Sequence, residues 1–284
     1  MTDLQSLDRS ARRSRRTTVK TVGAAVLAAS LLGAFATGCT SNSSSTSSTA
    51  AASSSPPSPP PSQLPDGAQL ISESAKTTQT LHSVHLDIKV SNLQNLPVDT
   101  ISADVTNQPS GQAIGEASIR LKEGDPFTKT KFLAVDKKIY VSSDGTKYVP
   151  VGDTQKVYDP GVILDKEKGI ANVIAHVKGA KAVKRETVNG VNTVQVTGTI
   201  DPTVIDPIVP KIGDKVTGTL PITLWITDTT PPKSATDATT LPSTAASPGT
   251  GPNLVQAQVD KDKGNATIDL SNWAKPVTVT KPAG

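Results

Sequence analysis

Four spacing regimes of apolar residues divide the chain. Residues 1–20 show no apolar repeat and carry Arg9, Arg12, Arg13, Arg15, Arg16 and Lys20. Thr21 to Ala36 is an almost unbroken apolar run, and Thr40 to Ser62 is nearly all Ser, Thr, Ala and Pro. From about Asp66 onward the pattern becomes periodic and predicts a folded unit. A helix is expected from Asp66 to Leu81. Two-residue alternation then recurs at Val84/Leu86/Ile88/Val90, Ala117/Ile119/Leu121, Val194/Val196, Ile222/Leu224/Ile226, Val255/Ala257/Val259 and Ile268/Leu270. Such alternation marks strands with one apolar face.

Turn signals separate these runs: Gly124-Asp125-Pro126, Ser143-Asp144-Gly145, Asn189-Gly190 and Lys263-Gly264. Asn-Gly between alternating runs predicts a tight hairpin, because both residues tolerate positive φ. Asp159-Pro160 and Asp201-Pro202 each place a capping carboxylate before a helix-starting proline. After the first, Ile163, Ile170, Ile174 and Val177 share one face of a predicted central helix. After the second, Val204, Ile205, Ile208 and Val209 predict a helix that Pro207 and Pro210 keep short or kinked. The expected order is helix, sheet, helix, sheet, helix, sheet, in one α+β domain from 64 to 284 with a large antiparallel sheet. Within it, 229–252 (TTPPKSATDATTLPSTAASPGTGP) reads as a low-complexity insertion loop between two strands.

The N-terminal regimes have the order of an export signal: basic zone, apolar zone, then the small pair Thr37-Gly38 before Cys39. Sixteen largely apolar residues fall short of the about 20 that a helix needs to cross a bilayer. A small pair before the only cysteine resembles the bacterial lipobox, although Ala36 stands where that motif usually has Leu, Val or Ile. Residues 1–38 are thus read as a lipoprotein signal peptide, with Cys39 as the acylated first residue after cleavage. Two or more acyl chains anchor a protein firmly where one binds only marginally. The expected location is the outer face of the plasma membrane. Ser14-Arg15-Arg16-Thr17-Thr18-Val19-Lys20 also resembles the twin-arginine export pattern without its Phe, so that route and the general secretory route both stay open. Residues 39–63 read as the lipidated cysteine and a disordered tether, since Ser, Thr and Pro cannot bury enough surface to offset ordering entropy.

Charge sharpens this picture. From Cys39 onward the chain has 23 Lys plus Arg and 23 Asp plus Glu, so its basic pI belongs to the leader. No lasting basic excess remains to suggest a nucleic-acid partner. A single cysteine excludes an internal disulfide and a multi-thiolate metal site. His82 and His85 straddle a predicted helix end and strand start, and His176 sits near a helix C-terminus. No nucleophile elbow, P-loop or dinucleotide fingerprint occurs. The expectation is a protein without a cofactor, a metal or catalytic residues.

Several segments resemble the mycobacterial lipoprotein family of LppX, LprA, LprF and LprG. They are Leu81-His82-Ser83-Val84-His85, Tyr158-Asp159-Pro160-Gly161-Val162-Ile163-Leu164-Asp165 with Gly169-Ile170, Leu224-Trp225-Ile226, and Leu270-Ser271-Asn272-Trp273-Ala274-Lys275-Pro276-Val277. Ala103-Asp104-Val105-Thr106-Asn107-Gln108-Pro109, Asp206-Pro207-Ile208-Val209-Pro210 and Leu220-Pro221-Ile222-Thr223 bring it nearest to the family's LprF members. The resemblance implies a strongly curved antiparallel half-barrel with helices on its concave face, enclosing an apolar cavity for acyl chains. It also implies an acylated glycolipid or another long-chain envelope lipid as ligand, with transport across the envelope. An envelope signalling module beside a membrane sensor kinase is the alternative, and a lipid transporter is a further implied partner. For such a cavity the residues themselves offer an aliphatic lining: Ile163, Ile170, Val173, Ile174 and Val177 from the central helix, Val204, Ile205 and Ile208 from the short one, and Leu86, Ile88, Leu224 and Ile226 from strands. Ordinary core packing is the competing expectation for each of them.

Overall fold

The computed structural model describes residues 63–93, 96–120, 122, 124–229 and 248–282. Cys39, the leader, the tether up to Ser62 and most of the 229–252 insertion lie outside the described residues. So does Leu121 from the second alternating run. Helix α1, Gly67–Gln79, starts where the sequence predicts it, with the Asp66 carboxylate accepting from the Gln69 amide at 2.8 Å. Strands follow in two groups. The first is β1 Ser83–Ser91, β2 Val98–Thr106, β3 Gln112–Ile119, β4 Thr128–Val135, β5 Lys138–Ser142 and β6 Val149–Asp153. Helix α2, Thr154–Val157, a 3-10 turn, Pro160–Leu164, and helix α3, Ile170–Ala175, come next. The second group is β7 Lys178–Val188 and β8 Val191–Ile200, then helix α4 Pro202–Ile205, then β9 Leu220–Thr227, β10 Leu254–Lys261 and β11 Gly264–Ser271.

All eleven strands form one sheet in the order β6-β5-β4-β3-β2-β1-β11-β10-β9-β8-β7, and every neighbouring pair is antiparallel. The sheet is open, with β6 and β7 at its edges. Its central seam joins the first and last strands, with Leu86 opposite Leu270 and Ile88 opposite Ile268. Asn189-Gly190 makes the expected hairpin, with φ of 50° and 78°. Asp136-Lys137 makes a second two-residue turn, with φ of 53° and 60° and no glycine.

Alternation sends one side chain in two to a shared apolar cluster. Val84, Leu86 and Ile88 of β1, Val194 and Val196 of β8, Ile222, Leu224 and Ile226 of β9, and Ile268 and Leu270 of β11 are all buried there. Leu70, Ile71 and Ala75 of α1, Ile170, Val173 and Ile174 of α3, and Ile205 of α4 join the same cluster. We call this side of the sheet the inner face. A smaller cluster forms where Val277 and Val279 of the C-terminal tail meet Leu133, Val135, Tyr140 and Tyr148.

The predicted central helix differs from what is found. It is broken into the 3-10 turn and α3, separated by residues 165–169. Gly169 is the reason: a Cβ there would run into the carbonyl oxygens of Asp165, Ile163 and Val162. The chain folds back on itself at this glycine, and Val177 falls beyond α3, just before β7. The short second helix follows its prolines. α4 spans four residues, and a series of turns carries the chain to Val216.

Candidate functional site

Three elements meet over the β10–β11 pair. Strand β10 supplies Leu254, Ala257 and Val259, and β11 supplies Ala266 and Ile268. A register shift between Leu254 and Gln256 brings Leu254 to the side of Ala257 and Val259. Val259 lies opposite Ala266 and Ala257 opposite Ile268, so each cross-strand pair has one small member. Above this floor lie Ile170 and Val173 of α3 and Ile205, Ile208 and Val209 from α4 and the turns after it. The ten residues enclose an apolar gap with no polar lining. The space among them that a water molecule could enter is only about 10 Å³. That is roughly the minimum for a single water. As it stands the gap is closed.

Residues 202–216 form the upper wall. The Asp201 carboxylate caps α4, accepting from the Thr203 amide at 3.0 Å and its hydroxyl at 2.7 Å. These bonds hold Asp201 below the ordinary carboxylate pKa. Ile205, Ile208, Val209 and Ile212 follow at helical spacing and are all buried, although Pro207 and Pro210 prevent a continuous helix. Asp206 accepts from the Gly213 amide at 2.8 Å and so closes the turns on themselves. The Tyr158 hydroxyl donates to the Ile208 carbonyl at 3.2 Å. Part of Tyr158 reaches solvent, but its hydroxyl end is enclosed, and burial, then the negative charge of Asp159, pushes its pKa up. At the far end, the Lys261 ammonium donates to the carbonyls of Ile212 at 2.7 Å and Asp214 at 2.8 Å.

The structure distributes the twelve sequence-predicted lining residues in three ways. Ile170, Val173, Ile205 and Ile208 line the gap. Ile163, Ile174, Leu86, Ile88, Leu224 and Ile226 are buried in the same cluster but do not border the gap. Val177 and Val204 are partly buried against that cluster. Sequence reasoning passed over Leu254, Ala257, Val259, Ala266, Ile268 and Val209. Most of these stand in the alternating or helical runs it recognised, but nothing in those runs says which strands lie beneath α3 and α4. The signal available was the pair of small inward residues, Ala257 and Ala266, which leave space where the neighbouring strands carry Leu224 and Val90.

Polar groups elsewhere on the sheet are tied to one another. His85 Nδ1 lies 2.8 Å from Asp104 and its Nε2 lies 3.4 Å from Asp87. The Trp225 indole donates to Glu186 at 2.7 Å, and Arg185 pairs with Asp228 at 2.6 Å. Glu186 is held low by the Lys184 ammonium and then by Trp225. His176 caps α3 through its contact with the Asn172 carbonyl at 2.8 Å. Trp273 packs partly buried against the core, its indole donating to the Leu254 carbonyl at 3.1 Å. Among the described residues no three His, Cys, Asp or Glu side chains gather as a metal site would require.

Residues 66–279 match the model of the LppX_LprAFG lipoprotein family. A protein of Mycobacterium tuberculosis provisionally named diacylated glycolipid transporter LprF is 45% identical over 225 residues, which is 78% of this chain and 80% of that one. The lipoarabinomannan carrier protein LprG of Mycolicibacterium hassiacum is 35% identical over 226 residues, 78% of this chain and 87% of its own. These relatives bear the names of carriers or transporters, not of enzymes. The crystal structure of LprF from Mycobacterium bovis superposes with a TM-score of 0.68 at 45% identity, covering 77% of this chain and 97% of that one. The crystal structure of the lipoprotein LppX of Mycobacterium tuberculosis shares the fold at a TM-score of 0.50 and 20% identity, covering 75% of this chain and 97% of its own. With the match spanning the open antiparallel sheet and its helices, this chain belongs to the LppX/LprAFG lipoprotein family.

Proposed function

We propose that this chain carries acylated lipids or glycolipids in the cell envelope, with their tails between the inner face of a curved half-barrel sheet and the helical segments over it. The single observation that carries the reading is a gap lined by ten apolar residues, without one polar group, with α3 and the α4 turns as its cover. Uncovering Ile205, Ile208, Val209 and Ile212 costs roughly 6–12 kcal/mol at about 1.5–3 kcal/mol per side chain. A tail that enters the gap covers the same side chains again and so offsets that cost.

The names of the LprF and LprG relatives support a ligand with acyl tails and a sugar head. Cys39 would hold the protein at the outer face of the plasma membrane, with 39–63 as spacer and 64–284 as the single lipid-binding domain. The test is direct. Full-length protein purified from its own membranes is extracted with organic solvent and the extract is weighed by mass spectrometry. Near-stoichiometric diacyl or triacyl lipid is expected, and a clean extract sinks the reading.

A second reading, an envelope signalling or interaction module with a solid core, is favoured by one observation: the gap is closed to about 10 Å³. Ligand pockets run to roughly 300–1,000 Å³. The two readings part at the same experiment, because a solid core yields no lipid.

A further inference from the structure

The inner face of β10 continues beyond the gap. Val259 lines the gap, and the next inward position is Lys261, only 8% exposed. Lysine is almost never buried this far without a partner of opposite charge. Here the partners are two backbone carbonyls, of Ile212 and Asp214, and among the described residues no carboxylate forms an ion pair with the ammonium. Carbonyl dipoles offset part of the desolvation of the charge, but a counter-charge is missing. An ammonium also has three donors, and two are used. Both carbonyls belong to the turns that follow α4, the segment that roofs the gap with Ile208 and Val209. One buried cation therefore does two things: it stands one inward position beyond Val259 on the strand that floors the gap, and it bonds to the segment that covers that gap. An apolar gap whose floor strand continues to a buried cation matches an amphiphile whose head is an anion.

Resting on the lipid-carrying reading above, we propose that Lys261 is the headgroup-recognition residue of this site and that its preferred ligands are diacyl lipids with an anionic head, phosphate or carboxylate. On loading, the ammonium exchanges its bonds to the Ile212 and Asp214 carbonyls for bonds to the headgroup oxygens, and residues 206–216 are released from β10. The exchange is favoured because hydrogen bonds between two charged partners are about twice as strong as those to neutral acceptors. It also supplies the absent counter-charge. A neutral diacyl lipid offers only hydroxyls and leaves Lys261 on its carbonyls, with the cover in place.

The test uses full-length protein in mild detergent, offered phosphatidylglycerol, diacylglycerol with the same tails, or inorganic phosphate alone. Native mass spectrometry reads the bound lipid, and hydrogen–deuterium exchange reads residues 206–216. Wild type is expected to take phosphatidylglycerol over diacylglycerol by roughly tenfold or more, the effect of a hydrogen bond to a charged group. Exchange in 206–216 is expected to rise with phosphatidylglycerol only. Lys261→Met is expected to bring the two lipids to parity, and Lys261→Arg to restore the preference. A Lys261→Met protein that keeps the preference overturns the proposal, as does phosphatidylglycerol loading with no change in 206–216. If inorganic phosphate alone loosens 206–216 equally, the site reads a free anion and the lipid assignment is overturned. Equal uptake of both lipids by wild type overturns the headgroup assignment alone, whereas uptake of neither overturns the carrier reading with it. Should Lys261→Met fail to fold, the wild-type comparison of the two lipids decides.

Discussion

Ala257→Leu puts the lipid site under direct strain. Ala257 is 5% exposed, and on the inner face of β10 it lies between Leu224 of β9 and Ile268 of β11. Leucine adds three carbon atoms to a floor with about 10 Å³ of free space above it. In the closed form these atoms have nowhere to go, and overpacking of this kind costs about 1–3 kcal/mol. In a domain of this size each kcal/mol moves Tm by about 2–4 °C, so a fall of roughly 2–12 °C is expected. The effect on loading is separate. Three carbons placed in the gap displace about three methylenes of a tail, a loss of roughly 2.4 kcal/mol or about fiftyfold in affinity. The assay is lipid per protein by mass spectrometry of the purified full-length chain, alongside thermal unfolding. Ala113→Leu serves as control, since Ala113 is 1% exposed in the same core but outside the gap. It should lower Tm comparably and leave the lipid load intact. A folded Ala257→Leu protein with lowered Tm and a wild-type lipid load would refute the placement of the tails.

Three further outcomes follow from the same geometry. Tyr158→Phe removes the hydroxyl that holds the Ile208 carbonyl, a bond worth about 0.5–1.5 kcal/mol, so residues 208–216 should open roughly two- to tenfold more often; unchanged amide exchange there would show that Tyr158 does not restrain the cover. Asp201 is held below its ordinary pKa by Thr203, so the folded state gains from its charge above the unfolded value of about 4, and that gain disappears as pH falls through the folded pKa. Asp201→Ala should therefore be less stable to urea than wild type at pH 7, with the difference shrinking steadily below about pH 4; a difference that persists undiminished at pH 2 contradicts this. Deleting residues 277–284 uncovers Leu133, Val135 and Tyr140, and the loss of Val279 alone should cost about 1.5–3 kcal/mol of unfolding free energy measured by urea titration, because the Lys281–Asp136 pair at 3.7 Å is exposed and adds little.

Sequence by itself determined whatever is local on the chain. Asp66, Asp159 and Asp201 each accept from a backbone amide two or three residues on, and each starts its element as predicted. Asn189-Gly190 dictated a hairpin through backbone freedom, and the alternating runs told which side chains of β1, β9 and β11 turn inward; in β10 a register shift puts Leu254 on the inner face where the run had placed Val255. The tertiary structure alone decided which of those strands are neighbours. Strands β1 and β11 meet although 180 residues separate Ile88 from its partner Ile268, and only that closure places β10 and β11 beneath α3 and the α4 turns. Strand β7 was illegible for a related reason: Lys178, Lys181 and Lys184 show no apolar alternation, and the segment is a strand because β8 pairs with it. Gly169 could be seen as a glycine but not as a breaker, since the carbonyls that exclude a Cβ arrive only when the chain folds back. Lys261 is the sharpest case. In sequence it is one charge in the solvated turn Asp260-Lys261-Asp262-Lys263. In the fold it is the inward member of its strand pair, buried on the carbonyls of a segment 49 residues away, because the two-residue period of β10 leaves its side chain no other face.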